Sequence, residues 1–494
     1  MVDRLTLVLA EHPAAAGEAL VHDPDRSVTT RAELEAEIDS LASALAAAGL
    51  AGRRIGVCMP NRARAIALWF AVWRGGGTVA PLNPRVPLAE VERLMEAAGV
   101  DTLVTADAHA AEFASFAAVP VAAGLVACTS PTVTEQPLPI EVGVEAPALV
   151  QFTSGTTGRP KAIPLEHHTI LALLDPVIAS LRKRPAPSGP AMPNLIPVSL
   201  SLWAGIYNVL FAFRVGAPVV LMDRFAPVEF ARLVRAHGIT SSVLPPAALV
   251  MLLEAPGVTS LEPLRYVRCV SAPLSPFQAR RFHERFGIGV LNGYGQTELG
   301  GEAVGWSAAD WKQFGATKLG AVGRPHASMR VRIRDAGVEQ PVGAAGEVEI
   351  RSITGPPPAS EGLAGRITDD GWLRTGDLGR LDADGFLWIE GRLSAMINRG
   401  GLKVFPDEVE EVLRAHGDVV DAAVVGVADD RLGEVPVAFV VLREGAACDT
   451  DELVRFTHDR LAPYKVPAAV RVLDALPRNE MGKVLRNDLA ALAG

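Results

Sequence analysis

The apolar positions in the first half of the chain alternate between a helical repeat and short uninterrupted runs. Residues at three- and four-residue intervals predict an amphipathic helix that stops near Gly49, namely Leu34, Ile38, Leu41 and Leu45. The run 54–59 predicts a buried strand, and a helix that reaches Trp73 is followed by a strand at 78–80. The same alternation returns at 216–222, 230–236 and 241–244. Such alternation predicts a largely parallel sheet covered by helices.

The pattern changes after about Gly320. Short alternating strands with Gly and Asp turns are predicted at 330–334, 346–350 and 386–389, which indicates antiparallel β structure. A smaller α+β segment follows, with a helix from Pro406 that has Val409, Val412 and Leu413 on one face, strands at 422–427 and 435–441, and a helix after 449–451. The predicted fold is mixed α/β: a large N-terminal domain with parallel-rich sheets and a β-rich subdomain, and a small mobile C-terminal α+β domain. We expect an adenylating domain at 1–392, a hinge at 393–395 and the mobile domain at 396–494.

Composition excludes several classes of protein. A chain of 494 residues, 49% of them hydrophobic, is long enough for two or more domains with substantial cores. The net charge of -9 argues against a general nucleic-acid binder, because such proteins neutralise phosphates with Lys and Arg. The four cysteines have neither paired nor metal-like spacing, namely Cys58, Cys128, Cys269 and Cys448. A reduced, cytoplasmic protein is therefore expected.

The N-terminal residues lack the uninterrupted apolar stretch and the small-residue cleavage site of a signal peptide. No apolar run is long enough to cross a bilayer. We therefore predict no transmembrane segment.

One run of small residues has the chemistry of a phosphate-binding loop. It reads Thr153-Ser154-Gly155-Thr156-Thr157-Gly158-Arg159-Pro160-Lys161. Glycines allow close backbone approach to an anion, while hydroxyls, N–H groups and the Lys161 cation can hold its oxygens. The spacing does not fit the common P-loop, so a different nucleotide-binding scaffold is required. An ordinary Gly/Ser/Thr turn is the structural alternative.

A second run places an aromatic residue between glycines and follows it with a hydroxyl and a carboxylate. It reads Asn292-Gly293-Tyr294-Gly295-Gln296-Thr297-Glu298. An adenine ring, an α-phosphate and Mg²⁺ would need these groups in this order. The structural alternative is a glycine-flanked turn with Tyr294 packed on the core.

Two further runs contain charged residues that suit a nucleotide. Asp377, at the end of 372–377, can accept both ribose hydroxyls, and Arg392 can donate to ribose or phosphate oxygens. Lys483 follows the glycine-containing turn 477–482. The structural alternatives are a hairpin aspartate in an ion pair and a solvated lysine.

Together, the four runs resemble the adenylate-forming superfamily, in its acyl-CoA synthetase branch of AMP-dependent synthetases and ligases. The resemblance covers nearly the whole chain in the family's order, and the loop at 153–161 matches the family form TSGTTGxPK. It implies catalytic roles for Lys483, Thr297, Glu298 and His167, with Glu298 as the magnesium ligand.

The resemblance also implies sites for the nucleotide, the acyl group and the thiol. Nucleotide contacts are expected at Thr153, Ser154, Gly155, Thr156, Thr157, Gly158, Lys161, Ser271, Ala272, Pro273, Asn292, Gly293, Tyr294, Gly295, Thr297, Asp377, Ile389, Arg392 and Lys483. The acyl pocket is expected at Trp203, Tyr207, Gly293 and Gly300, and the pantetheine tunnel at Gly400, Gly401 and Leu402.

The implied reaction uses ATP, Mg²⁺ and coenzyme A. A carboxylate attacks the α-phosphate of ATP, pyrophosphate leaves, and a thiol then captures the acyl group from the acyl-adenylate. Both steps move negative charge, so positioned cations are expected to act in place of a protein nucleophile.

The chain departs from the family pattern at three places. Ala395 stands where the family has its hinge aspartate, the aromatic-His gate is replaced by a segment containing Trp203 and Tyr207, and Ser271 replaces a glycine beside the purine. Ala395 alters the balance between two domain poses, or any small residue serves there. The two aromatics wall the acyl pocket or belong to the core.

The acid and the acceptor are less sharply specified. No acidic residue occurs between Asn194 and Phe211 to hold a substrate amine, so an apolar carboxylic acid is favoured over an amino acid. It can be aliphatic, aromatic or polycyclic. Free coenzyme A is the first expectation for the acceptor, and a carrier-protein phosphopantetheine is the alternative. A non-catalytic nucleotide-binding protein is disfavoured because Lys483 would then serve no purpose, and a homodimer is left open.

Overall fold

The computed structural model describes residues 5–133, 147–154, 160–182, 191–296, 299, 301–353, 365–446, 448–479 and 482–493. The chain divides into two compact units. The first contains residues 1–243 and 261–264, and the second contains 244–260 and 265–494.

The first unit contains two sheets and covering helices. Its strands are β1 (Ala19–His22), β2 (Val28–Thr30), β3 (Arg54–Cys58), β4 (Thr78–Leu82), β5 (Thr102–Ala106), β6 (Ala117–Ala122), β7 (Leu125–Thr129), β8 (Pro147–Ser154), β9 (Pro160–Glu166), β10 (Asn194–Ile196) and β11 (Val219–Leu221). Its helices are α1 (Thr6–Ala10), α2 (Arg31–Ala47), α3 (Ala63–Arg74), α4 (Leu88–Ala98), α5 (His167–Arg182), α6 (Trp203–Val215) and α7 (Pro227–Ala236), with a 3₁₀ helix at Asp107–Phe113. Strand β12 (Ser241–Leu244) reaches the boundary between the units.

Helix α2 confirms the first apolar repeat. Its four predicted core residues are all buried, namely Leu34, Ile38, Leu41 and Leu45. The helix begins at a capping box, in which the Thr30 side chain accepts from the backbone N–H of Glu33 and the Glu33 carboxylate accepts from that of Thr30. The capping box therefore determines where the helix begins. Its apolar repeat determines which face is buried.

The prediction of a largely parallel sheet is right only for the centre of the seven-stranded sheet, whose order is β6-β7-β5-β3-β4-β8-β9. The pairs β3/β4, β3/β5 and β4/β8 are parallel. The pairs β5/β7, β6/β7 and β8/β9 are antiparallel. Strands β6 and β7 are joined by only two residues, which is too short for a parallel crossover. The sheet is therefore mixed at both edges.

The second unit begins with an α/β layer and a β-rich layer. Its elements are α8 (Pro246–Glu254), β13 (Tyr266–Cys269), α9 (Pro276–Phe286), β14 (Gly289–Gln296), β15 (Gly301–Gly305), α10 (Ala308–Phe314), β16 (Arg324–Pro325), β17 (Met329–Asp335), β18 (Val338–Glu339), β19 (Gly346–Ser352), β20 (Leu373–Leu381) and β21 (Leu387–Arg392). Strands β13 and β14 are parallel, and β14 and β15 are antiparallel. The predicted antiparallel sheet is confirmed, in the order β18-β17-β19-β20-β21.

The last hundred residues of the second unit form the predicted α+β segment. A 3₁₀ turn (Leu393–Ala395) leads into β22 (Ile397–Arg399), β23 (Leu402–Val404), α11 (Pro406–Arg414), β24 (Val419–Asp429), β25 (Gly433–Leu442), α12 (Thr450–His458), a 3₁₀ turn (Pro463–Lys465), β26 (Ala469–Val472) and α13 (Arg486–Ala493). Alternate residues of β24 and β25 belong to two different apolar clusters, so both faces of this pair are covered. This explains why the two strands read as continuous apolar runs.

Helix α11 buries Val409 and Leu413, whereas Val412 is half-buried. The predicted apolar face is thus correct, with Val412 at its margin. None of the helices in the described ranges is long and apolar enough to span a bilayer.

Candidate active site

Asp377 is presented by β20 opposite Arg392 of β21, and the two residues are register partners in the antiparallel pair. Arg392 Nε lies 3.2 Å from Asp377 Oδ1. The Asp377 side chain is 10% exposed and that of Arg392 is 46% exposed, so the pair has a buried anionic end and an open cationic end. Local backbone bonding fixes the carboxylate, because Thr375 Oγ1 accepts from the Asp377 N–H (3.2 Å) and donates to the Val348 carbonyl (2.7 Å).

Tyr294 joins this carboxylate from β14. Its hydroxyl donates to Asp377 Oδ2 at 2.5 Å, and the Gln296 side chain donates to the same oxygen at 3.1 Å. Burial raises the pKa of Tyr294, and the Asp377 charge raises it further, so the phenol remains a donor at neutral pH. The residues predicted for adenine and ribose are therefore in direct contact through their side chains.

Gln296 and Arg366 support this arrangement and were missed from the sequence. Gln296 also donates to the Thr375 carbonyl at 2.8 Å, and its Oε1 accepts from Arg366 at 2.6 Å. Gln296 lies inside the run 292–298, two residues after Tyr294, so the sequence could have predicted it as a further polar residue of the site. Arg366 lies outside the four runs, shortly before the one that begins at Trp372, and only the fold brings it to Gln296.

The glycines on either side of Tyr294 are required by packing within the protein. A Cβ on Gly293 would collide with the Glu302 carboxylate, and a Cβ on Gly295 would collide with the Gly301 carbonyl. Glu302 is itself held by Arg268 and His326. Both glycines are predicted nucleotide contacts, and the packing of β14 against β15 already requires a glycine at each position.

The turn after β13 lies at the same sheet edge as Tyr294. Cys269 is the register partner of Asn292 and the last residue of β13, so the turn after β13 begins beside the point from which β14 continues to Tyr294. Ligands of α/β sheets commonly bind beyond the carboxyl ends of parallel strands. The predicted nucleotide residues Ser271, Ala272 and Pro273 are thus placed beside the run that begins at Asn292.

Ser271 has φ +79°, in the left-handed region that glycine adopts without strain. This position is the one at which the family glycine is replaced. The backbone therefore keeps the glycine-like conformation although the side chain has changed, at some cost in strain.

Lys483 is held by a tight turn. The backbone N–H of Lys483 donates to Asn479 Oδ1, and the Asn479 N–H donates to the Lys483 carbonyl, both at 2.9 Å. Gly482 has φ +74°, which suits a glycine in this turn.

The Lys483 side chain lies within the electrostatic reach of the Asp377 and Arg392 pair. Burial lowers its pKa, Arg392 and Arg486 lower it further, and Asp377 and Asp407 oppose them. Asp377, Tyr294 and Arg392 are joined by side-chain contacts, and Lys483 interacts with them through its charge. These four residues, which come from three of the four sequence runs, are called the Asp377 cluster below.

The remaining predicted residues are placed only in part. Strands β8 and β9 pair with Thr153 opposite Lys161 and Ser154 opposite Pro160. The predicted residues Gly155, Thr156, Thr157 and Gly158 lie outside the described residues, as do Thr297, Glu298 and Gly300. No geometry is assigned to the phosphates or to magnesium.

His167 lies at the start of α5 and is 6% exposed. Its Nδ1 accepts from the Leu5 N–H at 3.3 Å, and its ring contacts that of Trp73. These contacts give it a packing role in the first unit, and its catalytic role stays a prediction.

Trp203 and Tyr207 lie on α6 of the first unit, where they continue into Phe211. Adjacent ring centroids are 5.7 Å and 6.4 Å apart. All three side chains are half-buried and pack against the main apolar cluster. These three rings, called the aromatic ladder below, are partly packed in the core and partly exposed. Their position therefore fits both a wall of the acyl pocket and a role in the core.

Four predicted positions lie shortly after Arg392. Ala395 ends the 3₁₀ turn after β21. Gly400 and Gly401 form the two-residue turn of the β22/β23 hairpin with φ +60° and +89°, and Leu402 next to them is half exposed. The glycines are explained by the turn, and their role beside a pantetheine tunnel stays a prediction. Ile389 is half-buried on β21, near Arg392 in sequence.

Comparison with family models decides the classification. The model of the AMP-binding enzyme matches residues 9–355, and that of the AMP-binding enzyme C-terminal domain matches 408–483. The chain belongs to the AMP-binding enzyme family. The predicted membership in the adenylate-forming superfamily is confirmed.

Curated relatives are similar over most of their length. A sulfoacetate–CoA ligase of Cupriavidus necator is 33% identical over 92% of this chain and 90% of its own. An indoleacetate–CoA ligase of Aromatoleum aromaticum is 32% identical over 96% and 95%. A fatty acid–[acyl-carrier-protein] ligase of Streptomyces coeruleorubidus is 32% identical over 93% and 91%.

Among solved structures, ATP-bound MatB from Rhodopseudomonas palustris matches with a TM-score of 0.83 at 26% identity and covers 100% of this chain and 99% of that one. The prediction of an AMP-forming acid:CoA ligase that uses ATP, Mg²⁺ and coenzyme A is confirmed by the family and its ligases. The mixed α/β fold is confirmed by the same structural match.

The strain at Ser271 gives a stability prediction. We expect Ser271→Gly to raise the free energy of unfolding by about 0.5–1 kcal/mol, because relief of the left-handed strain exceeds the added entropy of the unfolded chain. Ala272→Gly is the matched control, since Ala272 is not among the residues with positive φ and should lose stability. Thermal unfolding of both variants measures the difference; equal destabilisation of the two would contradict the assignment.

The environment of Lys483 gives a pH prediction. Since its pKa is lowered, Lys483 loses its proton below the pH at which an exposed lysine titrates, about 10.4. We expect kcat/KM for pyrophosphate exchange to fall with rising pH, with an apparent pKa below that of an exposed lysine. Arg392→Gln should raise this apparent pKa, because a nearby cation that disfavours charged Lys483 is removed. Folding stability should change in the other direction and rise with pH. The cost of burying charged Lys483 is fully present below its pKa in the folded protein, and it disappears as the pH rises from there to the pKa of the unfolded chain. An apparent pKa that does not change in Arg392→Gln would contradict this electrostatic account.

Proposed function

We propose that this acid:CoA ligase binds the adenosine of ATP at Tyr294, Asp377 and Arg392 and uses Lys483 during attack on the α-phosphate. The proposal rests on one observation, the contact of the Tyr294 hydroxyl and of Arg392 with the Asp377 carboxylate. The charges of Asp377 and Arg392 in turn shift the pKa of Lys483. Each of these side chains comes from a separate element of the second unit.

The chemistry of each group suits its proposed role. The Asp377 carboxylate accepts from Tyr294 and Gln296 on Oδ2 and from Arg392 on Oδ1, which leaves about one of its four lone-pair sites for a ribose hydroxyl. A second ribose hydroxyl would displace one of these donors, and half-exposed Arg392 is the donor that can move most readily. The Tyr294 ring is fixed by its own hydroxyl, so its face is preorganised for adenine. A buried ammonium loses solvation but gains strength toward a developing negative charge, which is what pyrophosphate departure requires.

The phosphates and Mg²⁺ are assigned by the family resemblance. We propose that 153–161 holds the β and γ phosphates, that Thr297 contacts the α-phosphate and that Glu298 binds Mg²⁺. The ion would neutralise charge on the phosphates. Because those residues lie largely outside the described ranges, the mechanism from this structure rests on the Asp377 cluster alone.

For the acid, we propose an apolar carboxylate. The half-buried aromatic ladder of Trp203, Tyr207 and Phe211 offers apolar surface at the place where the family gate is replaced. The relatives act on acids as different as sulfoacetate and indoleacetate, by their names. The aromatic ladder favours an aromatic or polycyclic acid over a small polar one.

Coenzyme A is the acceptor that we assign first. A carrier-protein phosphopantetheine remains the second candidate, because a relative of similar identity is named a ligase of that kind. Either thiol would reach the acyl-adenylate past Gly400, Gly401 and Leu402. Assays with free coenzyme A and with phosphopantetheinylated carrier protein separate the two acceptors.

The domain division also belongs to this proposal. We propose that 1–392 forms the adenylating domain, that 393–395 is the hinge ending at Ala395, and that 396–494 moves between two poses. A cytoplasmic location and a homodimer remain predictions.

The function is tested by ATP–pyrophosphate exchange over a panel of aliphatic, aromatic and polycyclic acids. Exchange depends on adenylation alone, so it identifies the acid without an assumption about the thiol. Exchange above background with an apolar acid is expected. Exchange with amino acids only would contradict the proposed substrate class.

Lys483→Ala is expected to slow adenylation by at least about 100-fold, because the charge that assists pyrophosphate departure is lost. Thioester formation from a supplied acyl-adenylate should change much less. Lys312→Ala, an exposed lysine on α10, is the control and should leave both steps unchanged. Comparable slowing of the two half-reactions by Lys483→Ala would contradict the role.

A further inference from the structure

Glu411 connects α11 to α9, away from the Asp377 cluster. Its Oε1 accepts from the backbone N–H of Phe277 at 2.8 Å. The two residues lie on opposite sides of the proposed hinge at 393–395, within one compact unit.

The contact completes the N-terminus of α9. Pro276 at the first helical position has no N–H, and the Ser275 side chain accepts from the Gln278 N–H at 3.2 Å. The Phe277 N–H is the first-turn donor between them, and Glu411 provides its acceptor. A carboxylate at a helix N-terminus is also favoured by the helix dipole.

A second connection is formed by Glu254 at the end of α8. Its Oε1 lies 3.1 Å from Arg281 of α9, and its Oε2 pairs with Arg443, which follows β25. Arg443 is fixed in its own segment, since its backbone N–H donates to the Asp418 carbonyl and its Nε donates to the Gly417 carbonyl. Glu254 therefore links an arginine from each side of the proposed hinge.

Buried ion pairs connect α11 to the turn that holds Lys483. Glu410, next to Glu411, is 3% exposed, and its carboxylate bonds Arg486 and Arg414. Arg486 also pairs with Asp407 at 3.0 Å. Since Arg486 is three residues after Lys483, the position of α11 determines the position of the Lys483 turn.

The other side of the turn is fixed in the same way. Arg478 pairs with Asp421 and donates to the Gly482 carbonyl. Arg414 also pairs with Asp421, at 3.1 Å. The Lys483 turn is thus attached at both ends to the charged network under α11.

We propose that Glu411 and Arg443 are positioning residues for adenylation, which hold the segment after the hinge in the pose that brings Lys483 to Asp377. This inference rests on the proposed function and on its two-pose division of labour. Within the described residues, neither side chain bonds a predicted nucleotide residue, so each acts by fixing its own segment. Glu411 fixes α11, which also bears Glu410, and Arg443 fixes the turn at Gly417 and Asp418 that follows α11.

The contacts act on one half-reaction because they exist in one pose. A rotation that withdraws Lys483 from Asp377 also separates Glu411 from Phe277 and Arg443 from Glu254, since all three are borne by the same segment. Their loss therefore disfavours the adenylating pose and leaves the thiol-accepting pose unaffected.

The test compares Glu411→Ala, Arg443→Ala and the double variant in the two half-reactions. We expect pyrophosphate exchange to fall about tenfold in each single variant and further in the double variant, mainly through kcat. Thioester formation from a supplied acyl-adenylate should stay within about twofold of the wild type or become faster.

Glu408→Ala is the matched control. Glu408 lies on the same helix and pairs with Lys465, which belongs to the same segment, so no link across the hinge is lost. Glu411→Gln keeps an acceptor of the same shape and should recover part of the exchange activity. That recovery also guards against a folding defect in Glu411→Ala.

Hydrogen–deuterium exchange gives a readout that does not depend on turnover. The peptides that contain Phe277 and Lys483 should exchange faster in Glu411→Ala than in the wild type or in Glu408→Ala. Unchanged protection of both peptides would overturn the inference, as would equal slowing of the two half-reactions. If the wild type shows no pyrophosphate exchange with any acid, the proposed function fails. The protection of these peptides still shows whether Glu411 holds the N-terminus of α9 and the Lys483 turn in place.

Discussion

The site depends on a carboxylate that is buried and shared. Asp377 has Tyr294 and Gln296 on one oxygen and Arg392 on the other. A buried carboxylate is costly unless it is compensated, and here a phenol, an amide and a guanidinium from β14 and β21 compensate it. Because the compensating groups are also the ones proposed to contact the nucleotide, the interactions that stabilise the fold locally would also build the proposed binding site.

The position of Lys483 is the second constraint. Its turn is closed by Asn479, and the surrounding charges come from Arg486, Asp407 and Arg392. In the proposed mechanism, Lys483 reaches Asp377 only when the segment after the proposed hinge is correctly placed. The position of one segment would then control the first half-reaction, without any change in the residues proposed to hold adenosine.

Much of this could be predicted from the sequence, for identifiable reasons. Helix α2 and strands β17, β19 and β21 were found because their apolar periods are local properties of the chain. Asp377, Tyr294 and Lys483 could be selected because they belong to motifs of a recognisable family, and their roles at a nucleotide stay predictions. The antiparallel edges of the seven-stranded sheet were missed, because the periodicity of a strand does not report the direction of its neighbour.

The support around the site could not be predicted in the same way. Arg366 bonds Gln296, and Glu411 bonds Phe277, across long stretches of chain that only the fold brings together. The reason for Gly293 and Gly295 was also hidden, because the atoms that exclude a side chain there belong to β15 and the residues around it. The most direct test of the account compares the binding of ATP and 2′,3′-dideoxy-ATP, by calorimetry, in the wild type and in Asp377→Ala. We expect the wild type to prefer ATP by at least about tenfold and the variant to bind both nucleotides equally weakly; a variant that keeps the full preference would contradict the assignment of the ribose to Asp377.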